Sequence, residues 1–296
     1  MFQILKAIEL AENIYEMVVK AERVAASCQP GQFVIVKTDE KAERIPLTIC
    51  DYDREAGTVT IVFQTVGAST KKMAALKAGD AFRDFTGPLG QPSEFTAEDP
   101  AELKKKKYLF VAGGVGTAPV YPQVKWLHER GIDADVIVGS KTKDLLILEE
   151  EMRSVAGNLY ITTDDGSYVR KGMVTDVIKD LVENEKKQYD VCVAIGPMIM
   201  MKFVCLLTKQ LQLPTIVSLN PIMVDGTGMC GACRVIVGGE VKFACVDGPE
   251  FDGHAVDFDL AMKRQQLYKT QEGQAMLKLA EGDTHHGGCG NCGGDR

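Results

Sequence analysis

Five of the nine cysteines fall in the last 67 residues of the 296-residue chain (230–296), and three of them follow an aspartate in a glycine-rich stretch: Asp225-x4-Cys230-x2-Cys233-x11-Cys245. The spacing C-x4-C-x2-C…C is that of plant-type [2Fe–2S] sites. Gly226, Gly228 and Gly231 let such a loop wrap a cluster while backbone N–H groups point at sulfur. The first ligand position here is Asp225. A carboxylate is a harder, less covalent iron ligand than thiolate, so Asp225 is expected to tune the potential. Two other readings of the loop stay open: a zinc site with Cys3Asp ligation, and three unrelated buried thiols. Zinc sites more often use two C-x2–4-C pairs, and only one is present.

A second chemistry-bearing pattern is Gly113-Gly114-Val115-Gly116-Thr117-Ala118-Pro119, directly after the apolar run Tyr108–Ala112 and before a helical stretch. Glycines there allow a tight turn and close backbone approach to a ligand, and the helix N-terminus presents free N–H groups to a phosphate. The spacing differs from G-x-G-x-x-G, and an ordinary strand–helix turn is the alternative. Two later strand ends carry related signals: Thr162-Thr163-Asp164-Asp165-Gly166-Ser167, and Gly196-Pro197-Met198. In an open α/β sheet these edges form one crevice for a dinucleotide. Ser140, Lys141 and Lys143 suit a 2′-phosphate, Asp144 suits a ribose hydroxyl, and Lys141 and Lys143 read equally as surface charge. NAD and NADP both remain open on these residues.

Weaker signals lie in the first hundred residues. Arg44 opens the strand Arg44-Ile45-Pro46-Leu47-Thr48-Ile49, where an arginine can pair with a pyrophosphate and Thr48 can bond a ring edge. Gly67-Ala68-Ser69-Thr70 leads into a short helix expected over Thr70–Leu76, and reads either as a phosphate seat or as plain capping. Cys50, near Thr48, reads as a small buried hydrophobe, and Cys28, Cys192 and Cys205 as structural. The tail holds His285, His286, Cys289 and Cys292 among glycines. It reads as flexible, with metal binding or a redox C-x-x-C as the alternative.

The elements that must position these residues follow from pattern and composition. A length of 296 residues suggests two domains and a small appendage, at roughly 100–200 residues each. Thr58–Phe63 alternates polar and apolar and Gln32–Lys37 follows a Pro-Gly turn, as strands of a small barrel do. Residues 92–107 are a linker-like boundary ending in Lys104–Lys107, a solvated face or a dock for an acidic partner. Beyond it, continuous apolar strands at 134–139, 159–163 and 190–196 alternate with helices such as 120–130. That pattern implies a parallel sheet covered on both faces. Net charge is −7 and 25% of residues are charged, which argues against a nucleic-acid partner. The longest apolar stretch, Val191–Leu207, is broken by Gly196-Pro197 and Lys202 and falls short of the ~20 residues of a spanning helix. The N-terminus shows no signal peptide, and an odd cysteine count speaks against a disulfide framework. A cytoplasmic protein without a membrane segment is the expectation.

In order, these motifs (R-x-P-L-T, G-x-S-T, G-G-V-G-x-A-P, T-D-D-G-S, I-G-P and the cysteine loop) resemble the ferredoxin–NADP reductase superfamily over about residues 1–260. The chain looks most similar to the branch with a C-terminal [2Fe–2S] segment. That branch includes the electron-transfer subunit of dihydroorotate dehydrogenase. It also includes the small subunit of NADH-dependent reduced ferredoxin:NADP oxidoreductase, also labelled the sulfide dehydrogenase beta subunit. The resemblance implies an α+β fold. Its parts are an N-terminal antiparallel β-barrel for FAD (1–100), an α/β parallel-sheet NAD(P)-binding domain (101–221), a [2Fe–2S] segment (222–262), and a C-terminal helix with a Cys/Gly-rich tail (263–296). Arg44, Pro46, Leu47, Thr48, Gly67, Ser69 and Thr70 match the family's FAD motifs. Gly113, Gly114, Gly116, Thr117, Ala118 and Pro119, with Asp164, Asp165, Gly196, Pro197 and Met198, match its nicotinamide-nucleotide site. Asp225, Cys230, Cys233 and Cys245 match its cluster loop.

Dihydroorotate subunits carry cysteine where Asp225 stands, so the resemblance leans to the reduced-ferredoxin branch and to NAD(H), with NADP(H) possible. In that branch the partner is a larger flavoprotein/iron–sulfur subunit related to the glutamate synthase small subunit, and the assembly bifurcates electrons. One electron from NADPH goes toward ferredoxin, and one goes through the cluster to FAD and NAD. A dihydroorotate or sulfite reductase electron-transfer subunit and a non-enzymatic zinc-binding redox module are the alternatives. The Gly-Cys-Gly-Asn-Cys-Gly-Gly tail matches no motif of the family.

Overall fold

The computed structural model describes residues 1–281. The tail positions His285, His286, Cys289 and Cys292 lie outside the described residues. The N-terminal part is a seven-stranded antiparallel sheet: β1 (Phe2–Ala11), β2 (Ile14–Lys20), β3 (Phe33–Lys37), β4 (Ile45–Asp53), β5 (Thr58–Gln64), β6 (Ala81–Phe82) and β7 (Asp84–Leu89). Its order is β6-β1-β2-β5-β4-β3-β7. The two edge strands are consecutive in the chain with only Arg83 between them, so the sheet has to curl into a nearly closed barrel. Alternation in β5 puts Val59, Ile61 and Phe63 inside, with Ile4, Met17, Val34, Val36 and Phe82. Helix α1 (Glu22–Ser27) contributes Val24 and Ala25 to this core. Helix α2 (Ala68–Ala74) begins two residues before the expected span because Thr70 caps it, its hydroxyl accepting from the Gly67 N–H.

A short helix α3 (Pro100–Leu103) interrupts the linker. The second sheet has the order β10-β9-β8-β11-β12-β15. Strands β8 (Tyr108–Gly113), β9 (Ala134–Ser140), β10 (Asn158–Thr163), β11 (Val191–Ile195) and β12 (Thr215–Ser218) are parallel. They need apolar residues on both faces, because helices cover both. Leu109, Val111 and Ile137 face one core with α6 (Val174–Lys179) and α7 (Met198–Gln210). Phe110, Ala112 and Val136 face the other, with α4 (Thr117–His128) and α5 (Glu149–Val155).

The cysteine-rich segment forms a hairpin, β13 (Arg234–Val237) and β14 (Glu240–Phe243), followed by β15 (Glu250–Asp252), α8 (Phe258–Arg264) and α9 (Lys269–Glu281). Strand β15 joins the edge of the second sheet antiparallel to β12. The expected all-parallel sheet is therefore mixed: three residues too polar and too few to announce a strand complete its edge. No helix among the described residues is long and apolar enough to cross a membrane.

The three parts are tied together. Lys125 on α4 pairs with Asp51 on β4 at 2.8 Å, beside an apolar seam of Ile14, Cys50, Val62, Ala118 and Ile147. Glu250 on β15 accepts from Ser93 Oγ at 3.0 Å and from Gln123 Nε2 of α4 at 2.8 Å. One carboxyl thus joins the linker, the second domain and the cluster segment.

A Cβ on Gly116 would lie 2.2 Å from the Ile195 carbonyl oxygen, whereas one on Gly114 meets nothing within 4 Å but requires φ +55. Gly116→Ala is expected to destabilise by about 2–3 kcal/mol through overpacking, and Gly114→Ala by about 1 kcal/mol through backbone strain. Urea unfolding measures both. Burial pushes the Glu250 carboxyl up to about 7 against an ordinary 4.5, with Glu94 adding to the rise and the Ser93 and Gln123 bonds opposing it. The folded state then binds more protons than the unfolded one between those values. Stability should therefore fall as pH rises from 4.5 to about 7 and level off above, by at most about 3 kcal/mol. Glu250→Gln should flatten that part of the stability–pH curve.

Candidate cofactor sites

The glycine turn after β8 and the Gly196-Pro197 turn after β11 interlock. A Cβ on Gly113 would strike Met200 Sδ at 2.3 Å, and one on Gly196 would lie 3.1 Å from the Gly113 Cα. Only glycine at both strand ends lets the two turns touch. Thr117 opens α4 and donates its hydroxyl to the Gly114 carbonyl at 2.9 Å, leaving Gly114 over open space. Ala118 and Met198 are buried where α4 and α7 begin, with Pro119 in the first turn of α4 and Pro197 at the N-cap of α7. Asp164 and Asp165 sit at the end of β10, two strands from Gly113, where their N–H groups donate to Ser140 and Lys141 of the neighbouring strand end. The Ser167 N–H and hydroxyl hold the Asp165 carboxyl below the usual carboxylate range. All of these residues lie along the carboxyl edge of the sheet, where such folds bind ligands. Ser140 is buried with its hydroxyl on the Thr142 carbonyl, and Lys143 lies 4.9 Å over the Tyr168 ring. Both groups are thus partly engaged within the chain.

In the barrel, Pro46, Leu47 and Thr48 pair with Ile35, Val34 and Phe33 of β3. The entry to β4 meets the start of α2, since the Ser69 hydroxyl donates to the Glu43 carboxylate. Gly67 has open space where a side chain would be. The two barrel motifs, far apart in sequence, therefore adjoin in space, as a flavin site requires. Arg44 is placed where sequence reasoning did not put it. Its Nε donates to the Val224 carbonyl at 2.7 Å and its Nη2 to the Asp225 carbonyl at 3.1 Å.

The 224–233 loop turns on Gly226, Gly228 and Gly231, all at positive φ. Asp225 caps it, with Oδ1 accepting from the Thr227 N–H and Oδ2 from the Cys230 N–H, each at 2.7 Å. These bonds, Thr227's first, hold its carboxyl below the usual range. Cys233 and Cys245 are buried with their sulfurs 3.2 Å apart, while Cys230 is exposed beside Asp225. Burial, with Cys233 adjacent, pushes the Cys245 thiol up to about 12, and the Gly228 N–H opposes this. Among the described residues no three His, Cys, Asp or Glu side chains converge on a single ion position. The donors stand instead in two places: Cys233 and Cys245 with their sulfurs in contact, and Asp225 bonded through Oδ2 to the backbone N–H of Cys230. A dinuclear cluster takes its protein ligands in pairs, one pair per iron, so this donor set fits it. Loading would release the thiol protons. Cys28, Cys50, Cys192 and Cys205 are buried free thiols, as expected.

Sequence reasoning passed over Met200, Glu43 and Glu250. Met200 and Glu43 carry no motif. Glu250 had one usable signal, a carboxylate set between Pro249 and Phe251.

Comparison with known proteins agrees with this geometry. Residues 220–257 match the iron–sulfur cluster binding domain of dihydroorotate dehydrogenase B, and residues 110–206 match the oxidoreductase NAD-binding domain. A Clostridium beijerinckii protein from the adh 3′ region is 66% identical over the full length of both chains. The Thermotoga maritima homolog of the dihydroorotate dehydrogenase B (NAD+) electron transfer subunit is 45% identical over 91% of this chain and 92% of its own. The solved structure of NADH-dependent reduced ferredoxin–NADP oxidoreductase, studied for flavin-based electron bifurcation, matches with a TM-score of 0.86 at 42% identity. The match covers 95% of this chain and 98% of that one. The chain therefore belongs to the dihydroorotate dehydrogenase B electron-transfer-subunit family, oxidoreductase subunits with a ferredoxin-reductase-like fold, an NAD-binding domain and an iron–sulfur domain.

Proposed function

We propose that this chain is the small electron-transfer subunit of a bifurcating NADH-dependent reduced ferredoxin:NADP oxidoreductase. In this reading it holds FAD at the barrel, NAD(H) at the strand-end crevice and a [2Fe–2S] cluster in the 225–245 loop. The contact between the Cys233 and Cys245 sulfurs, with Asp225 set apart on the backbone N–H of Cys230, carries the reading. A zinc ion would ask for four donors around one point. The aspartate in the first position favours this branch over the dihydroorotate one, and the likeness to the ferredoxin–NADP structure over 95% of this chain supports it.

Arg44, Pro46, Leu47 and Thr48, with Gly67, Ser69 and Thr70, would hold the flavin. Gly113, Gly114, Gly116, Thr117, Ala118 and Pro119 would seat the dinucleotide, with Asp164, Asp165, Gly196, Pro197 and Met198 along the same edge. Flavin, when bound, supplies the exchange between a two-electron and a one-electron carrier. The chain contributes placement. The Thr117 hydroxyl is spent on Gly114, so phosphate recognition falls to the backbone N–H groups opening α4. Buried Cys233 and Cys245 would keep water from one side of the cluster. Cys230 lies at the surface beside Met229, 87% exposed, and Val224, 46% exposed. This apolar outer face suits a larger flavoprotein/iron–sulfur subunit resembling the glutamate synthase small subunit, through which ferredoxin is reached. A dihydroorotate dehydrogenase partner is the second reading, favoured by the name of the Thermotoga relative and of the matched cluster domain.

Anaerobic purification from the native source tests this. Iron and acid-labile sulfide are expected in equal amounts, with flavin, and with a larger flavoprotein co-eluting. Cys233→Ser and Cys245→Ser should each lose the cluster absorption and keep the flavin band. Zinc in place of iron, or a dihydroorotate dehydrogenase as the co-eluting chain, would overturn the assignment.

A further inference from the structure

The cluster loop and the flavin-bearing strand share one side chain. Arg44 precedes β4, yet its guanidinium spends one edge on two consecutive carbonyls of the loop 180 residues away: Nε on Val224 at 2.7 Å and Nη2 on Asp225 at 3.1 Å. Among the described residues it has no ion pair, and Nη1 donates to nothing. A planar fork with fixed donors suits two adjacent acceptors in a way a lysine ammonium does not. Because peptide units are planar and trans, drawing these two carbonyls toward Arg44 turns the N–H groups of Asp225 and Gly226 the opposite way. The orientation of the loop's amides at the first proposed ligand is thereby set from the barrel. The loop has few other restraints there. It has no regular secondary structure between Asn220 and Cys233, and its other ties flank the Asp225 position: Met223 packs with Phe33 and Ile35, Gly226 seats on Ile35 and Leu89, Gly228 lies against Val246, and Asp225 bonds its own backbone.

We propose that Arg44 is a positioning residue for the cluster: it fixes the lead-in of the 225–230 loop, and with it the amide field around the cluster, from the strand that carries the flavin motif. The inference rests on the cofactor reading above and adds a role that a flavin-phosphate contact alone does not imply. The unspent Nη1 leaves room for both roles on one guanidinium.

Arg44→Lys and Arg44→Gln in the otherwise intact chain separate the two. Arg44 is half-buried and lies outside the barrel core, so both variants are expected to fold, with circular dichroism as the check. Iron release to a chelator and the EPR spectrum of the reduced cluster are followed in each protein twice, stripped of flavin and reloaded with FAD. In the flavin-free proteins, both variants should release iron roughly tenfold faster than the parent chain, as expected for losing a charge-assisted bond, and their EPR lines should shift. Lysine, although it keeps the charge, should not restore either property. Wild-type rates and spectra in the flavin-free variants would overturn the proposal. So would changes that appear only with FAD bound, because Arg44 would then act through the flavin. A parent chain that binds no iron would sink the cofactor reading itself, an outcome visible before any variant is compared.

Discussion

The close seating of the cluster loop on the barrel is the constraint on which the rest of the arrangement depends. Gly226 lies against strands β3 and β7 so tightly that a Cβ there would come within 2.7 Å of both Ile35 Cδ1 and Leu89 Cδ1. Its φ of +77 is a second reason for glycine. Strand β3 is buried on both sides in consequence. Val34 and Val36 face the barrel core, whereas Phe33 and Ile35 pack with Met223, Cys233 and Cys245. The wall between the barrel interior and the buried cysteine pair is therefore one strand thick. Strand β4, which carries the proposed flavin residues, pairs directly with that wall, Pro46 opposite Ile35.

The same economy of side chains governs the nucleotide edge. Gly113, Gly116 and Gly196 bring the ends of β8 and β11 into backbone contact, and Met200 fills the remaining gap. The helices that follow begin at that junction, so their free N–H groups open on one crevice. The domains are held by few polar ties, chiefly Lys125–Asp51 and the Ser93–Glu250–Gln123 cluster. The cluster segment is not an appendage. By adding β15 to the second sheet and packing its loop on the first, it bridges both.

Much of this was legible in the sequence, for identifiable reasons. The alternation of Thr58–Phe63 and the apolar runs at 108–112 and 134–139 report burial directly, because strands in these sheets are either half or fully covered. The glycines at 113, 116 and 226 report close approaches that no other residue permits. Long-range pairings were not legible. Arg44 reads locally as an anion ligand, and nothing near it in sequence says that its acceptors lie at 224 and 225. Strand β15 is three residues long, and only the exposed edge of β12 makes it a strand. Asp225 was read for its place in the cysteine spacing, and its capping bonds to Thr227 and Cys230 depend on a loop shape that spacing does not encode.

The central claim is that two iron atoms are held by two ligand pairs on a loop pressed against the flavin-bearing barrel. An anomalous difference map at the iron edge, from crystals of the anaerobically purified protein, tests it most directly. The account predicts two resolved iron peaks over Ile35 and Leu89, one between Asp225 and Cys230 and the other between Cys233 and Cys245, with a flavin against β4. A single metal peak at the centre of all four side chains, or a loop lifted off the barrel, would contradict it.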